Sequence, residues 1–185
     1  LYYIPEKDRT KELCNLAVKN DGLALFSVPE KFRDKDLIFD AISNNGLALQ
    51  FVSNYEILPE GYFITAIKSN PAILSLLNWY LSNIDNLNLV LNMDINNIKY
   101  IPEELINIDL AIRVLSKDWN LLKFIPESLR TAEICDIAID NRLTDFSLIP
   151  EKIRNSSKEL LQKIVILNPE ILQEYKNNSP FTEKE

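Results

Sequence analysis

A Pro-Glu dipeptide preceded by Ile or Val returns at Ile4-Pro5-Glu6, Val28-Pro29-Glu30, Ile101-Pro102-Glu103, Ile125-Pro126-Glu127 and Ile149-Pro150-Glu151. Successive prolines lie 24 residues apart, except for one gap of 73, which is three periods and one residue. A fixed period of this length marks a repeat array, in which a unit buries its apolar face only by stacking on its neighbours. With each proline as position one, units start at Pro5, Pro29, Ser53, Asn78, Pro102, Pro126 and Pro150, and the third carries one extra residue before Ala66.

The apolar positions keep this register. Ala17-Val18, Ala41-Ile42, Ala66-Ile67, Val90-Leu91, Val114-Leu115 and Ala138-Ile139 coincide, with Ile164-Val165 as their counterpart in the last unit. Leu25, Leu49, Leu74, Ile98, Leu122 and Phe146 form a second column, which Leu172 extends, and Val28, Val52, Leu77, Ile101, Ile125 and Ile149 close the units. Positions nine, ten, thirteen and fourteen (Leu37, Ile38, Ala41, Ile42) are spaced as one helix face. Thr10, Asp34 and Thr131 precede that face as N-caps. Gly22 and Gly46 follow it, where a left-handed residue would end the helix, and Pro71 takes that place in the third unit. The pattern predicts an all-α protein, an α-solenoid of about seven 24-residue helix-turn-helix repeats. A domain over residues 1–176 and a polar tail over 177–185 follow. Leu1 aligns with Leu25, in mid-unit, so the chain reads as cut from a longer protein.

A leucine-rich repeat, an α/β solenoid, is the alternative, because its phrases and period are similar. Its inner strand needs alternating leucines. The residues two before position fourteen are Leu16, Asp40, Leu89, Arg113 and Ile137, and the alternation breaks at Asp40 and Arg113. The adjacent pair never breaks, which favours helices.

The segment Asp34–Val52, DKDLIFDAISNNGLALQFV, resembles a bacterial repeat labelled only as a domain of unknown function, of the type ELCLEAVKQNGLALQYVPEELR. The resemblance is close from Tyr3 to Phe51, fair from Ile101 to Ile149 and poor over residues 53–100. It implies an all-α array found in bacterial proteins of infection or symbiosis, and a role in interaction. It brings no catalytic residue with it. The implied location is the bacterial cytoplasm or, for a secreted effector, the host cytosol.

Composition narrows the chemistry. The chain has no histidine, which removes histidine-activated nucleophiles, His-ligated zinc and the commonest general base. Gly22, Gly46 and Gly61 are too scattered for a phosphate-cradling loop. Cys14 and Cys135 both fall at position ten, five units apart, and read as buried small residues without a disulfide, as in a reducing compartment. The adjacent acids Glu103-Glu104 have a plain role at a helix start, like the ladder Glu6, Glu30, Glu127 and Glu151. Arg9, Arg33, Arg130 and Arg154 recur three residues later as a second ladder, suited to Glu–Arg pairing. A net charge of −7 disfavours nucleic acid and anionic membrane, and no apolar run is long enough to span a bilayer. No enzyme activity, cofactor or metal is expected.

What remains is a protein-binding scaffold, its partner a host or bacterial protein, or a structural spacer with no partner. Residues that break the repeat mark the candidate surface. Trp119 stands at the Gly22/Gly46 position, Trp79 replaces a ladder glutamate, and Tyr80, Tyr55 and Tyr62 share the weak middle units with Phe63. Tryptophan and tyrosine are the residues that most often anchor interfaces. The plainer alternative is that they fill gaps left by lost consensus residues.

Overall fold

In each of its first six periods the repeat supplies one α-helix of eight to ten residues and two shorter helical pieces. The computed structural model describes residues 1–141, 143, 145–154 and 158–167; Leu172 and the 177–185 tail lie outside the described residues. The chain divides into two compact units, Leu1–Pro102 and Glu103–Glu185. No strand occurs among the described residues, which disfavours the leucine-rich-repeat alternative.

In the first unit the α-helices are α1 (Lys11–Asn20), α2 (Lys35–Asn44), α3 (Glu60–Ser69), α4 (Asn78–Leu81) and α5 (Ile84–Met93). The second holds α6 (Ile108–Leu115), α7 (Ala132–Asp140), α8 (Glu151–Arg154) and α9 (Lys158–Leu167). Six-residue 3₁₀ segments follow the helices at Gly22–Ser27, Gly46–Phe51, Pro71–Leu76, Ile95–Tyr100 and Trp119–Phe124. A three-residue 3₁₀ turn follows four of the Pro-Glu prolines, as at Glu6–Asp8 and Glu30–Phe32. Proline presets this turn and lacks only an N–H that would be unpaired there. The second helix of the predicted pair is therefore a 3₁₀ segment.

Side chains satisfy the many helix ends that this architecture creates. Thr10, Asp34 and Thr131 cap α1, α2 and α7 as expected, accepting from the N–H of Leu13 (3.3 Å), Leu37 (2.9 Å) and Ile134 (3.4 Å). A second column of caps opens the 3₁₀ segments: Asp21, Asn45, Asn70, Asp94, Asp118 and Asp145 each accept from the N–H two residues ahead, at 2.9–3.2 Å. These residues recur at the period just ahead of the second apolar run, a legible signal that the reading above passed over.

In the first unit, α1 packs on α2 and α2 on α3, while successive 3₁₀ segments pack in a parallel tier. The three apolar columns are the core. Ala41-Ile42 and Ala66-Ile67 are fully covered, as are Leu25, Leu49 and Leu74. In the second unit α7 packs on α9, and Ala138-Ile139, Leu122, Ile125 and Ile149 are buried.

The glycines serve a different purpose from the one expected. Neither Gly22 nor Gly46 has a positive φ; among the described residues only Asn54, at φ 54° and ψ 39°, is left-handed. Asn54 sits where the third repeat takes its extra residue, and asparagine tolerates that conformation. Gly22 and Gly46 are small because the next helix approaches their backbone. A Cβ would stand 2.3 Å from the Ala41 carbonyl oxygen at Gly22, and 2.0 Å from that of Ala66 at Gly46. The Asn44 side chain locks the first approach, accepting from the Gly22 N–H (2.8 Å) and donating to the Lys19 carbonyl (3.0 Å). One repeat later, Ser69 Oγ donates to the Ile42 carbonyl at 2.7 Å.

The arginine ladder also differs from expectation. Arg9 donates through Nε to the Ile4 carbonyl (2.8 Å) and through Nη1 to that of Ser27 (2.6 Å). Arg33 repeats this on Val28 (2.9 Å) and Phe51 (2.7 Å), and Arg130 on Ile125 and Leu148, both at 2.9 Å. Each guanidinium thus ties its own Pro-Glu junction to the closing carbonyl of the next 3₁₀ segment. Glutamate is a minor partner: Glu30 reaches Arg33 at 3.3 Å, and its side chain is largely exposed. The residue eighteen beyond Arg154 lies outside the described residues.

Three substitutions test these contacts. Gly46→Ala should destabilise the fold by about 2 kcal/mol or more, since the clash is with backbone that has no soft direction to yield. A urea midpoint unchanged from wild type would remove the close-approach account. Arg33→Ala should cost about 2–3 kcal/mol for two charge-assisted bonds to carbonyls. Arg33→Lys should recover little of it, because an ammonium cannot present two donors in a fixed fork; full rescue by lysine would mean that charge alone matters.

Candidate interaction surface

The middle repeats of the first unit lose the consensus and gain rings. Tyr62, at position nine of α3, packs edge-to-face on Phe39 of α2 with centroids 5.3 Å apart. Phe63, the next residue, turns toward the following repeat. It stacks on Tyr80 at 5.2 Å and meets Trp79 edge-on at 5.5 Å. Trp79 and Tyr80 are themselves T-shaped at 5.8 Å. They lie on α4, the short helix that stands where most repeats have only a three-residue 3₁₀ turn. Large side chains here replace the Pro-Glu turn as the filler between repeats.

Burial sorts the residues singled out in the sequence. Trp79 leaves 42% of its surface exposed, and Phe39 a similar share. Tyr62 and Tyr55 are half-buried. Tyr80 is only 4% exposed; it is a core ring, and its hydroxyl is buried without a hydrogen-bond partner. Burial, with Glu60 a smaller contributor, raises the Tyr80 phenol above the usual range. As a contact residue Tyr80 is therefore corrected: burial leaves it only the role of backing Phe63. Trp119 belongs to the second unit, half-buried at the first position of its 3₁₀ segment and just after the cap Asp118. Phe39 was the residue that sequence reasoning missed. Its signal is a phenylalanine at position eleven, which holds asparagine in the first and fourth repeats (Asn15, Asn88).

The second unit carries an open groove of about 570 Å³, between successive Pro-Glu junctions, bordered by Glu127, Arg130, Thr131, Pro150, Lys152 and Ile153. Its charges are of both signs and the Arg130 donors are already engaged on carbonyls, so it is not an anion cradle. Nearby, Lys163 bridges Asp136 (2.6 Å) and Asp140 (3.0 Å), which raises its own pKa through those two acids. In the first unit Lys11 reaches Asp34 across a repeat boundary at 2.6 Å. Hydrogen bonding to Lys11, then to the Leu37 N–H, holds Asp34 below the usual carboxylate range. These pairs tie repeat to repeat at the surface, where each adds little.

Glu6, Glu30, Glu103, Glu104, Glu127 and Glu151 are all exposed. No helix among the described residues is long and apolar enough to cross a membrane. A family model described as a domain of unknown function (DUF4116) matches residues 10–57, the stretch from the α1 cap through α2 and the 3₁₀ segment after it. No curated protein and no solved structure matches the chain.

Cys14 and Cys135 are free and buried, as read from position ten. Burial pushes the Cys14 thiol up and the Cys135 thiol to about 11, against a weaker opposing pull from Arg9 and Arg130 respectively. The thiolate is the reactive form, so a raised pKa adds to steric protection. Both cysteines should react with a disulfide reagent at pH 8 only as fast as the protein opens, and at the free-thiol rate in denaturant. Immediate reaction of both in native buffer would contradict their place in the core.

Proposed function

We propose that this chain is an α-solenoid scaffold that binds a protein partner and has no reaction of its own. One observation carries the reading. The polar groups that recur with the repeat are spent on its own backbone: arginines on carbonyls, and Asp, Asn and Thr on helix N–H groups. The exposed rings of Trp79 and Phe39 have no such structural debt, and they lie where the repeat departs from its consensus. A ring held rigidly by a second ring beneath it is a good anchor, since little side-chain entropy is lost on binding.

The partner-facing residues are then Trp79, Phe39 and Tyr62 in the first unit, with Tyr55 beside them in sequence and Trp119 as a separate position in the second. On this reading the scaffold is the binding or targeting module of a bacterial effector that meets a host protein, and the resemblance of the repeat to bacterial arrays supports it. The competing reading is a spacer that only holds other modules apart.

Affinity capture with quantitative mass spectrometry separates the two readings. Wild type, Trp79→Ala and Trp119→Ala would each be presented to bacterial and to eukaryotic lysate, after circular dichroism shows each variant folded. The expected result is a protein retained by wild type and depleted at least tenfold by Trp79→Ala, which corresponds to about 1.4 kcal/mol of lost contact. Equal retention by all three would move the surface away from the tryptophans. No specific retention from either lysate would favour the spacer.

A further inference from the structure

The repeat has its own way of covering a half-open ring. Lys31 lies over Phe32, Lys99 over Tyr100 and Lys123 over Phe124, with each ammonium 4.8–5.0 Å from the ring centroid. All three rings are half-buried, and in each case the lysine is the residue just before the ring. An ammonium so placed is drawn to the negative face of the aromatic system. Trp79 breaks this rule. It is more exposed than any of the three, at 42%, yet Asn78 precedes it, and no lysine or arginine lies over it among the described residues.

The acids beside Trp79 are uncommitted as well. Glu60, the first residue of α3, stands close enough to Tyr80 for its charge to act on the phenol, and Tyr80 in turn lies against Trp79. Glu60 and Glu56 are exposed, and neither has an ion-pair partner among the described residues. Cations are scarce here. From Ser53 to Ile98 the chain carries Glu56, Glu60, Asp85 and Asp94 against Lys68 alone, and Lys68 sits near the far end of α3. Gly61, next to Glu60, takes position eight, where five other repeats place an acid (Glu12, Asp36, Asp85, Asp109, Glu133). A Cβ at Gly61 would meet no atom within 4 Å, so packing does not call for a glycine, which weakens a helix. Its effect is to leave the backbone beside Glu60 bare.

We propose that Trp79 and Glu60 form a recognition site for an arginine side chain on a basic segment of the protein partner. The guanidinium takes the place over the Trp79 ring that the repeat's own lysine takes elsewhere, and it donates to the Glu60 carboxylate, with Glu56 adding negative potential. Arginine suits the site better than lysine, because its planar group stacks on indole while its fork engages a carboxylate. The same two glutamates repel an acidic segment. The inference rests on the scaffold reading, in which Trp79 faces the partner, and adds the partner's chemistry to it.

Titration of the whole chain with blocked peptides of the form acetyl-Gly-X-Gly-X-Gly-amide, X being arginine, lysine or citrulline, tests this. The indole N–H signals in a nitrogen-correlated NMR spectrum report Trp79 separately from Trp119, which belongs to the second unit and serves as the internal control. The arginine peptide should shift the Trp79 signal saturably, and the lysine peptide more weakly. Citrulline keeps the shape without the charge and should not shift it. Glu60→Gln should weaken arginine binding about threefold, the scale of one exposed charge pair. Salt at 1 M, where the screening length is about 3 Å, should nearly abolish it. Glu60 is exposed, so the variant should keep the wild-type melting temperature. Three results would overturn the proposal: a Trp79 signal that ignores the arginine peptide, one that answers citrulline equally, or a Trp119 signal that moves as much as that of Trp79. A protein captured through Trp79 whose retention ignores both salt and Glu60→Gln would also overturn it, while leaving the scaffold reading in place.

Discussion

The fold depends on covering one residue per repeat, the alanine or valine at position thirteen of the first six repeats and Ile164 in the last. A helix of about ten residues is not stable alone in water, because nucleation costs more than so few hydrogen bonds return. Each helix exists because its neighbour covers this column, and each neighbour exists for the same reason. Ala41 and Ala66 are small enough for the helix to come down onto the preceding 3₁₀ segment, and Gly22 and Gly46 let their carbonyls arrive. Where the repeat loses that glycine, at Pro71, Ile95 and Trp119, a Cβ occupies the gap and so close an approach is not open.

Short helices also multiply ends, and ends multiply unpaired backbone groups. This explains the polar part of the repeat without reference to a ligand. The Asp and Asn column serves the N–H groups that open the 3₁₀ segments, and the arginines serve carbonyls that close them. A guanidinium suits this task because its fork reaches two carbonyls at once, one closing the preceding repeat and one near the end of its own. The apparent Glu–Arg pattern is thus two separate adaptations to the same junction: glutamate to the start of a helical turn, arginine to the ends of two.

Much of this was legible in advance. The period, the three apolar columns, the helical face, the caps Thr10, Asp34 and Thr131 and the burial of both cysteines follow from spacing, and spacing is a local property. The reading failed where the reason for a residue lies far along the chain. Gly22 and Gly46 read as left-handed helix ends because a single repeat offers no other reason for glycine. Arg33 read as a partner for Glu30 because Phe51, whose carbonyl it reaches, is distant in sequence. Among the candidate residues, Tyr80 and Trp79 are adjacent and equally aromatic, yet one is core and the other half-open.

The sequence by itself determined the unit: its length, its helical face, its caps and its identity as something that cannot stand alone, because periodicity records which residues must be hidden. Only the tertiary structure decided how units meet. It set the close approach over the glycines, the arginine ties, and which rings remain at the surface. Those outcomes depend on distances between residues about one period apart, and a sequence carries such distances only after the chain has been folded.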